Sequence, residues 1–253
     1  MCNFISGIYT EKDGIKCNPF TLSHTDLIYE FGLEKDDKKK NLVKFEITPP
    51  NDLRKFRNVK NWSFKIDQDF MPSWGDEDYI ESEARKFVDN LLRKCPHVKK
   101  GDRIKYLDGR HIAIFGAGTV DKLGDYTTIL YLPGKTTIWN AEYSTIKNAG
   151  NSTIKYAGNS TIKYAGYCTI EDAWRSIIED AGNSTIKNAG NSTIEDAGRS
   201  TIENAWYSTI KYAGYCTIKY AGHSTIKNAW YSTIKNAEYC TIKNKDNAKI
   251  GCE

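Results

Sequence analysis

One eight-residue phrase, Ala-Gly-Asn-Ser-Thr-Ile-Lys-Asn, repeats thirteen times in register from Ala141 to Asn244, with substitutions but without insertion or deletion. Each copy of such a chain can bury its apolar side chains only against the neighbouring copies, so the fold must be a stack of similar units. The sequence therefore predicts a solenoid. The long exposed surface of a solenoid is typical of proteins that bind other molecules.

Three positions of the repeat are nearly constant and are predicted to face inward. Counted from the alanine, position 1 is always Ala, position 4 is Ser or Cys, and position 6 is always Ile. Positions 2, 3, 7 and 8 vary among glycine, polar, charged and aromatic residues, which is typical of exposed sites. Because side chains alternate between the two faces of a straight strand, two consecutive exposed residues predict a bend, and each repeat has two such pairs.

The two bends indicate a mainly β fold class and a parallel β-solenoid. If each bend turns the chain through about a right angle, two repeats, or about 16 residues, close one flattened coil. A triangular coil of three repeats, or about 24 residues, is the alternative, because Cys168, Cys216 and Cys240 are separated by multiples of three repeats. The longer coil stacks four lysines, from Lys163 to Lys235, in one column, where each pair repels by up to ~1 kcal/mol in water. The sequence therefore favours the coil of two repeats.

Residues 1–100 lack the repeat and are predicted to form a small α+β domain ahead of the solenoid. We expect a hairpin around residues 12–14, strands at residues 43–47 and 62–66, helices after Ser23 and over residues 76–95, and a charged loop at residues 36–40. Residues 101–140 are predicted to form irregular first coils of the solenoid, and residues 141–244 the thirteen octapeptide repeats. Residues 245–253 are predicted to form a C-terminal cap over the open sheet edges.

Two parts of the chain resemble known families. Residues 23–33, 44–52 and 62–74 resemble the front end of phage-borne and gut-bacterial proteins in which a similar leader precedes short repeats. That family has no assigned activity, so the resemblance implies a viral origin and supplies no catalytic residues. The octapeptide is similar to bacterial ice-nucleation repeats in its length and its Ala-Gly and Ser-Thr pairs, which implies an ordered, ice-binding-like surface. In those repeats a second Thr lies two residues after the first, whereas in this chain Lys147 lies two residues after Thr145.

The residue types that carry chemistry do not form a recognisable site. Cys2 follows Met1 as in the Met-Cys-Gly start of glutamine amidotransferases, whose N-terminal cysteine is a nucleophile, but no glycine follows it here. Gly116 and Gly118 resemble a dinucleotide-binding turn, but Asp121 replaces its third glycine, so a solenoid turn is the preferred interpretation. The four histidines are scattered and the seven cysteines form no Cys-x-x-Cys spacing. We therefore expect no catalytic, cofactor-binding or metal-binding residues.

Charged and aromatic residues divide the array into an acidic part and a basic, aromatic part. Residues 165–204 contain seven acidic and three basic side chains, whereas residues 205–244 contain five lysines and one glutamate. Eight Trp and Tyr residues at outward positions accompany these lysines. The candidate binding surface comprises twelve residues of the basic part: Trp206, Tyr207, Lys211, Tyr212, Tyr215, Lys219, Tyr220, Lys227, Trp230, Tyr231, Lys235 and Tyr239.

The composition of this surface indicates binding rather than catalysis. Since Tyr and Trp supply much of the binding energy at protein interfaces, we expect a non-enzymatic binding or scaffolding protein that acts on a host or phage protein, with counter-defence as one role. Single-stranded nucleic acid or another polyanion is the alternative partner, because lysines contact phosphates and bases stack on rings. Neither a signal peptide nor an apolar run long enough to span a membrane is present, so we expect a cytoplasmic protein without a membrane partner.

Overall fold

The computed structural model describes residues 5–21, 23–52 and 55–251. The chain divides after Cys95 into two compact units. The strands of the first unit are β1 (Ile5–Thr10), β2 (Gly14–Cys17), β3 (Val43–Thr48) and β4 (Ser63–Ile66). They form one antiparallel sheet in the order β2-β1-β3-β4. The expected hairpin and the two expected strands are confirmed.

The helices of the first unit are α1 (His24–Glu30), α2 (Glu34–Lys38) and α3 (Glu77–Arg93), and a 3₁₀ turn spans Val59–Asn61. The side chains of Ser23 and Asp76 cap α1 and α3 by accepting a backbone hydrogen bond from the first turn. Helix α2 lies where the sequence predicted a charged loop, so that prediction is wrong. Glu34, Asp36 and Asp37 occupy its first turn, where negative charge interacts favourably with the helix dipole.

The second unit is a parallel β-solenoid of two sheets, and each coil contributes one strand to each sheet. Sheet I has nine strands: β7 (Arg110–Ala113), β10 (Thr128–Tyr131), β12 (Thr145–Ile146), β14 (Thr161–Ile162), β16 (Ile177–Ile178), β18 (Thr193–Ile194), β20 (Thr209–Ile210), β22 (Thr225–Lys227) and β24 (Thr241–Lys243). Sheet II has ten strands: β6 (Arg103–Leu107), β9 (Thr119–Leu123), β11 (Thr137–Asn140), β13 (Thr153–Tyr156), β15 (Thr169–Ile170), β17 (Thr185–Lys187), β19 (Thr201–Glu203), β21 (Thr217–Lys219), β23 (Thr233–Lys235) and β25 (Lys249–Gly251). Strands β5 (His97–Val98) and β8 (Phe115–Gly116) form a separate parallel pair.

Successive coils of the repeat array pair residues that are sixteen positions apart, such as Thr145 with Thr161. This register confirms the coil of two repeats, and the three-repeat alternative is wrong. Several opposite charges meet at the same spacing. Four ion pairs join adjacent coils in this way: Lys155–Glu171, Lys163–Glu179, Lys211–Glu195 and Lys219–Glu203.

The solenoid extends beyond the thirteen repeats on both sides. Ahead of them the spacing of paired residues rises to as much as 18, as between Arg110 and Thr128, so these coils are less regular. After them, residues 245–251 form a degenerate further repeat whose strand β25 pairs with β23. The described residues of the expected cap therefore add a half-coil, and Ile250 remains 41% exposed there.

The interior of the solenoid is built from the three constant positions, as predicted. From Ala141 to Ile234, every Ala at position 1 and every Ile at position 6 is at most 1% exposed. The Ser or Cys at position 4 is at most 4% exposed over the same copies. Because the side chains of each column are alike, stacking them sixteen positions apart fills the core evenly.

From the third repeat onward, each repeat bends at two residues in the left-handed conformation, at the places where the sequence predicts the two bends. Position 3 has φ between 53° and 61° in all thirteen copies, and position 8 has φ between 46° and 54° from Tyr164 onward. The first bend is a turn closed by a hydrogen bond from position 4 to position 1, for example from the N–H of Ser152 to the carbonyl of Ala149 at 3.1 Å. A positive φ at the third residue alone is the geometry of a type II turn. The left-handed residue is thus the one after the glycine, and asparagine adopts it readily.

The side chain at position 4 ties each turn to the turn of the preceding coil. Ser192 donates its hydroxyl hydrogen to the carbonyl of Ala173 at 2.5 Å and accepts from the N–H of Ser176 at 3.0 Å. Cys168 makes the equivalent contact, with its Sγ 2.9 Å from the carbonyl oxygen of Ala149. Ser and Cys are therefore alike in two ways: both are small, as the sequence indicated, and both carry a side-chain hydrogen that they can donate.

Replacing Ser192 by alanine is expected to lower the free energy of unfolding by about 1–3 kcal/mol, because a buried N–H and a buried carbonyl lose this partner. Chemical denaturation of the full chain measures the change. Ser192→Cys is the matched control and should be less destabilising, since Cys168 and Cys216 occupy equivalent sites. An alanine variant as stable as the original chain would show that the hydroxyl only fills space.

Candidate binding surfaces of the solenoid

The two-repeat coil distributes the outward positions of the repeat over four surfaces. Positions 5 and 7 lie on the outer faces of sheets I and II, whereas positions 8, 2 and 3 lie on the turns between the sheets. We call edge A the turns that lead from sheet II into sheet I, which in the last coils are residues 204–208, 220–224 and 236–240. Edge B consists of the turns from sheet I into sheet II, which there are residues 212–216 and 228–232. The two edges lie on opposite sides of the core because the chain crosses one sheet between them.

The twelve residues of the predicted surface are divided among all four surfaces. Edge A carries Trp206, Tyr207, Tyr220 and Tyr239, and edge B carries Tyr212, Tyr215, Trp230 and Tyr231. Sheet I carries Lys211 and Lys227, and sheet II carries Lys219 and Lys235. All eight aromatic residues are exposed. They form two clusters on opposite edges rather than one patch, and the lysines lie on the sheet faces between them.

A row of stacked rings lies on edge A. The imidazole of His223 stacks on Tyr207 with 5.0 Å between ring centroids and on Tyr239 with 4.9 Å. Trp206 lies beside this row, with its centroid 6.5 Å from that of His223. Sequence reasoning missed His223 because the four histidines are scattered along the chain. Its place sixteen positions after Tyr207 and sixteen before Tyr239 is the signal that identifies it.

Edge B repeats the arrangement with two tyrosines. The rings of Tyr215 and Tyr231 stack with centroids 5.2 Å apart and 7° between their planes. Trp230 covers Gly214 of the adjacent coil, where a Cβ would lie 3.4 Å from the indole. On edge A, Trp206 covers Gly222 more closely, since a Cβ there would lie 2.7 Å from its ring. A glycine in one coil therefore provides the space that a tryptophan of an adjacent coil fills.

The stacked tyrosines occupy a backbone position that suits asparagine better. Tyr207, Tyr215, Tyr231 and Tyr239 have φ between 53° and 58°. Asparagine is several-fold enriched in this left-handed region, whereas bulky side chains are uncommon there. Ring stacking contributes about 0.5–1.5 kcal/mol per pair, which offsets the strain. Four copies nearer the N-terminal side have asparagine at this position: Asn151, Asn159, Asn183 and Asn191.

The lysines lie on the sheet faces, two residues after the threonines of position 5. Lys211 contacts Glu195 of the preceding coil at 2.5 Å, and this hydrogen bond, together with the charge of Glu195, raises the pKa of Lys211. Among the described residues, Lys227 forms no ion pair and is exposed. The threonines are half-buried beside these long side chains, so an ordered, ice-binding-like threonine surface stays a prediction.

An acidic cluster lies on sheet I and the adjoining rim of edge B. It comprises Glu179 and Asp180 in one coil and Glu195 and Asp196 in the next. Burial, and then repulsion by Asp196 and Glu179, raises the pKa of Asp180. The cluster belongs to the acidic part of the array, residues 165–204, that the sequence indicated.

The glycines that resemble a dinucleotide-binding turn have a packing role. A Cβ on Gly116 would lie 1.9 Å from the carbonyl oxygen of Val98, and one on Gly118 would lie 2.1 Å from the Val98 side chain. Strand β9 follows them in place of the helix that a dinucleotide-binding motif requires. The interpretation as a solenoid turn is therefore confirmed. Cys2, the other candidate, lies outside the described residues.

The interior thiols are protonated at neutral pH, because burial raises the pKa of Cys168 to about 11 and that of Cys216 in the same direction. In the part of the chain that the structure describes, no three His, Cys, Asp or Glu side chains are grouped as metal ligands. No helix in that part is both long and apolar enough to cross a membrane. No protein-family model, curated protein or solved structure matches the chain.

Replacing Asp180 by asparagine is expected to raise the melting temperature at neutral pH, because it removes the repulsion from Asp196 and Glu179. A carboxyl group whose pKa is raised in the fold destabilises the fold once it ionises. The advantage of asparagine should therefore be largest above the folded-state pKa of Asp180 and should disappear in acid, where both states are protonated. Thermal unfolding measured over a pH series tests this, and a gain that did not change with pH would contradict it.

Proposed function

We propose that the protein is a non-enzymatic binding protein whose solenoid docks a protein partner through the aromatic clusters of edges A and B. The observation that carries the proposal is the exposure of tyrosine in strained turns. Tyr207, Tyr215, Tyr231 and Tyr239 are 56–81% exposed in a conformation that asparagine adopts more easily. A strained residue at a place where an unstrained one would serve the fold is typical of functional sites.

The chemistry of the clusters supports a protein as the partner. Each edge combines an exposed tryptophan with two tyrosines in a stack of rings, which on edge A are joined through His223 and on edge B stack on each other. Tryptophan and tyrosine dominate the energetics of protein interfaces. The stacked rings hold one another in place, so little side-chain entropy is lost when a partner binds. The resemblance of residues 23–33, 44–52 and 62–74 to phage-borne proteins supports a host or phage protein in this role, with counter-defence as its purpose.

A cytoplasmic site of action fits the cysteine chemistry. Cys17, Cys95, Cys168, Cys216 and Cys240 are free thiols, as is usual for proteins of a reducing compartment.

Single-stranded nucleic acid is the less favoured partner because the stacked rings of edge A use their faces on one another. Bases stack on the faces of rings while lysines contact the adjacent phosphates. Here the stacking covers both faces of His223 and one face of each of Tyr207 and Tyr239, so fewer ring faces are left for bases.

Replacing the paired tyrosines by asparagine should abolish partner binding without loss of stability. The edge A variant is Tyr207→Asn with Tyr239→Asn, and the edge B variant is Tyr215→Asn with Tyr231→Asn. Because asparagine suits the left-handed turn, we expect the free energy of unfolding to change by less than about 1 kcal/mol. Affinity capture with the full chain and with each variant, from lysate of the cells in which the protein occurs, compares the retained proteins.

A matched control replaces Tyr143 and Tyr167, which occupy the same turn position outside the basic part of the array. Capture should survive this change. Retention of the same partner by the edge A and edge B variants alike would contradict the proposal. Binding to a single-stranded oligonucleotide that fell steeply with rising salt would favour the nucleic-acid alternative instead.

A further inference from the structure

The two sheets differ in the order of charges at position 7 of the repeat. We call column I the residues of sheet I at this position: Lys147, Lys163, Glu179, Glu195, Lys211, Lys227 and Lys243. We call column II those of sheet II: Lys155, Glu171, Lys187, Glu203, Lys219 and Lys235. Column II alternates in sign from Lys155 to Lys219, so each charge has an opposite charge in the next coil. Column I instead runs in blocks of like charge.

The blocks of column I destabilise a single chain. Coils stack at about 4.8 Å, and like charges at that spacing repel by up to ~1 kcal/mol in water. The repulsion is visible on both blocks: burial, and then Lys163 and Arg110, lowers the pKa of Lys147, while burial, Asp196 and Glu179 raise that of Asp180. Alternation, which column II achieves with the same residue types, avoids this repulsion.

The charges of column I become complementary when a second copy of the column lies opposite it in reverse order. We propose that sheet I packs face to face with sheet I of a second copy of this chain, about a two-fold axis parallel to the strands between β18 and β20. This symmetry keeps position 7 opposite position 7 and reverses the order of the coils. Glu195 then faces Lys211 of the second copy, and Glu179 faces Lys227 of the second copy, and each contact occurs twice.

The neighbouring columns fit the same arrangement. At position 8, Asp196 faces Tyr212 of the second copy, which can donate its hydroxyl hydrogen to the carboxylate. Asp180 faces Asn228 of the second copy, whose amide is also a donor. At position 5, Ile177, which is 45% exposed where the other twelve repeats have threonine, faces Thr225 of the second copy. Sheets pack about 10 Å apart, a gap that opposed lysine and glutamate side chains can span.

One pair opposes the contact. Lys163 faces Lys243 of the second copy, although Lys163 is paired with Glu179 of its own chain at 3.1 Å. The six facing strands offer about 400 Å² of sheet on each copy, which is below the area of a stable interface. We therefore expect a weak dimer that depends on charge and dissociates as salt rises.

The middle of the face argues for a second copy and against a polyanion. A nucleic acid or polyphosphate that lay along Lys211, Lys227 and Lys243 would meet the acidic cluster of Glu179, Asp180, Glu195 and Asp196 on the same face. An inverted copy of the chain presents lysines to that cluster. It is the occupant that places opposite charges against Glu179, Glu195, Lys211 and Lys227.

Sedimentation equilibrium of the full chain tests the proposal at about 20 mM and about 500 mM salt. We expect dimers at low salt and monomers at high salt. Lys227→Glu and Glu179→Lys should each weaken the dimer about tenfold or more, because each sets like charges opposite one another twice. An equimolar mixture of the two variants should dimerise like the original chain, since the two glutamates of one variant then face the two lysines of the other. This restoration also shows that both variants are folded.

Lys235→Glu, which changes the net charge equally on sheet II, is the matched control and should leave the dimer intact. A monomer at low salt and a protein concentration of about 100 µM would overturn the proposal. So would equal weakening by Lys227→Glu and Lys235→Glu, or a mixture of the two sheet I variants that fails to dimerise. None of these outcomes depends on a partner bound at edges A and B.

Discussion

The structure of the repeat array depends on the stacking of each residue directly over the residue sixteen positions earlier. The parallel ladders hold this register on both sheets, and backbone hydrogen bonds continue it through the turns, for example from the N–H of Tyr207 to the carbonyl of Gly222 at 3.0 Å. Each position of the repeat therefore becomes a column, and a column is stable only if its members tolerate copies of themselves. Alanine, isoleucine and the hydroxyl or thiol of position 4 meet this condition inside, and asparagine ladders such as Asn204 to Asn188, at 2.8 Å, meet it outside.

Much of this architecture could be predicted from the sequence, because it depends on properties that each repeat carries locally. The constancy of Ala and Ile marks the interior, and the paired outward positions mark the bends. Repulsion between lysines such as Lys163 and Lys187 favoured the shorter coil, and in the structure Lys163 pairs instead with Glu179, sixteen positions later.

Other features depend on which residues meet in three dimensions, and local pattern could not reveal them. The predicted surface could be divided into two edges and two sheet faces only from the three-dimensional coil. Residues one repeat apart, such as Tyr207 and Tyr215, lie on opposite sides of the core. His223 looked isolated until its column placed it between two tyrosines. The hydrogen bonds of position 4 were hidden because Ser and Cys differ in polarity while sharing a donor. Helix α2 was missed because it has no apolar stripe that would indicate a helix. Its charged side chains favour it instead.

The length of the coil also limits how the array can change in length. Removing or adding a single octapeptide preserves every inward contact, but it moves all later residues from one sheet to the other and from one edge to the other. A block of three repeats is one and a half coils and has the same effect. Cys168 and Cys216 directly precede strands of sheet II, whereas Cys240, three repeats after Cys216, directly precedes a strand of sheet I. The packing of the core is therefore nearly the same whether the number of repeats is odd or even, while the pattern of charges and rings on each surface differs between the two cases. Two chains whose arrays differ by one octapeptide would have the same kind of core but different surfaces.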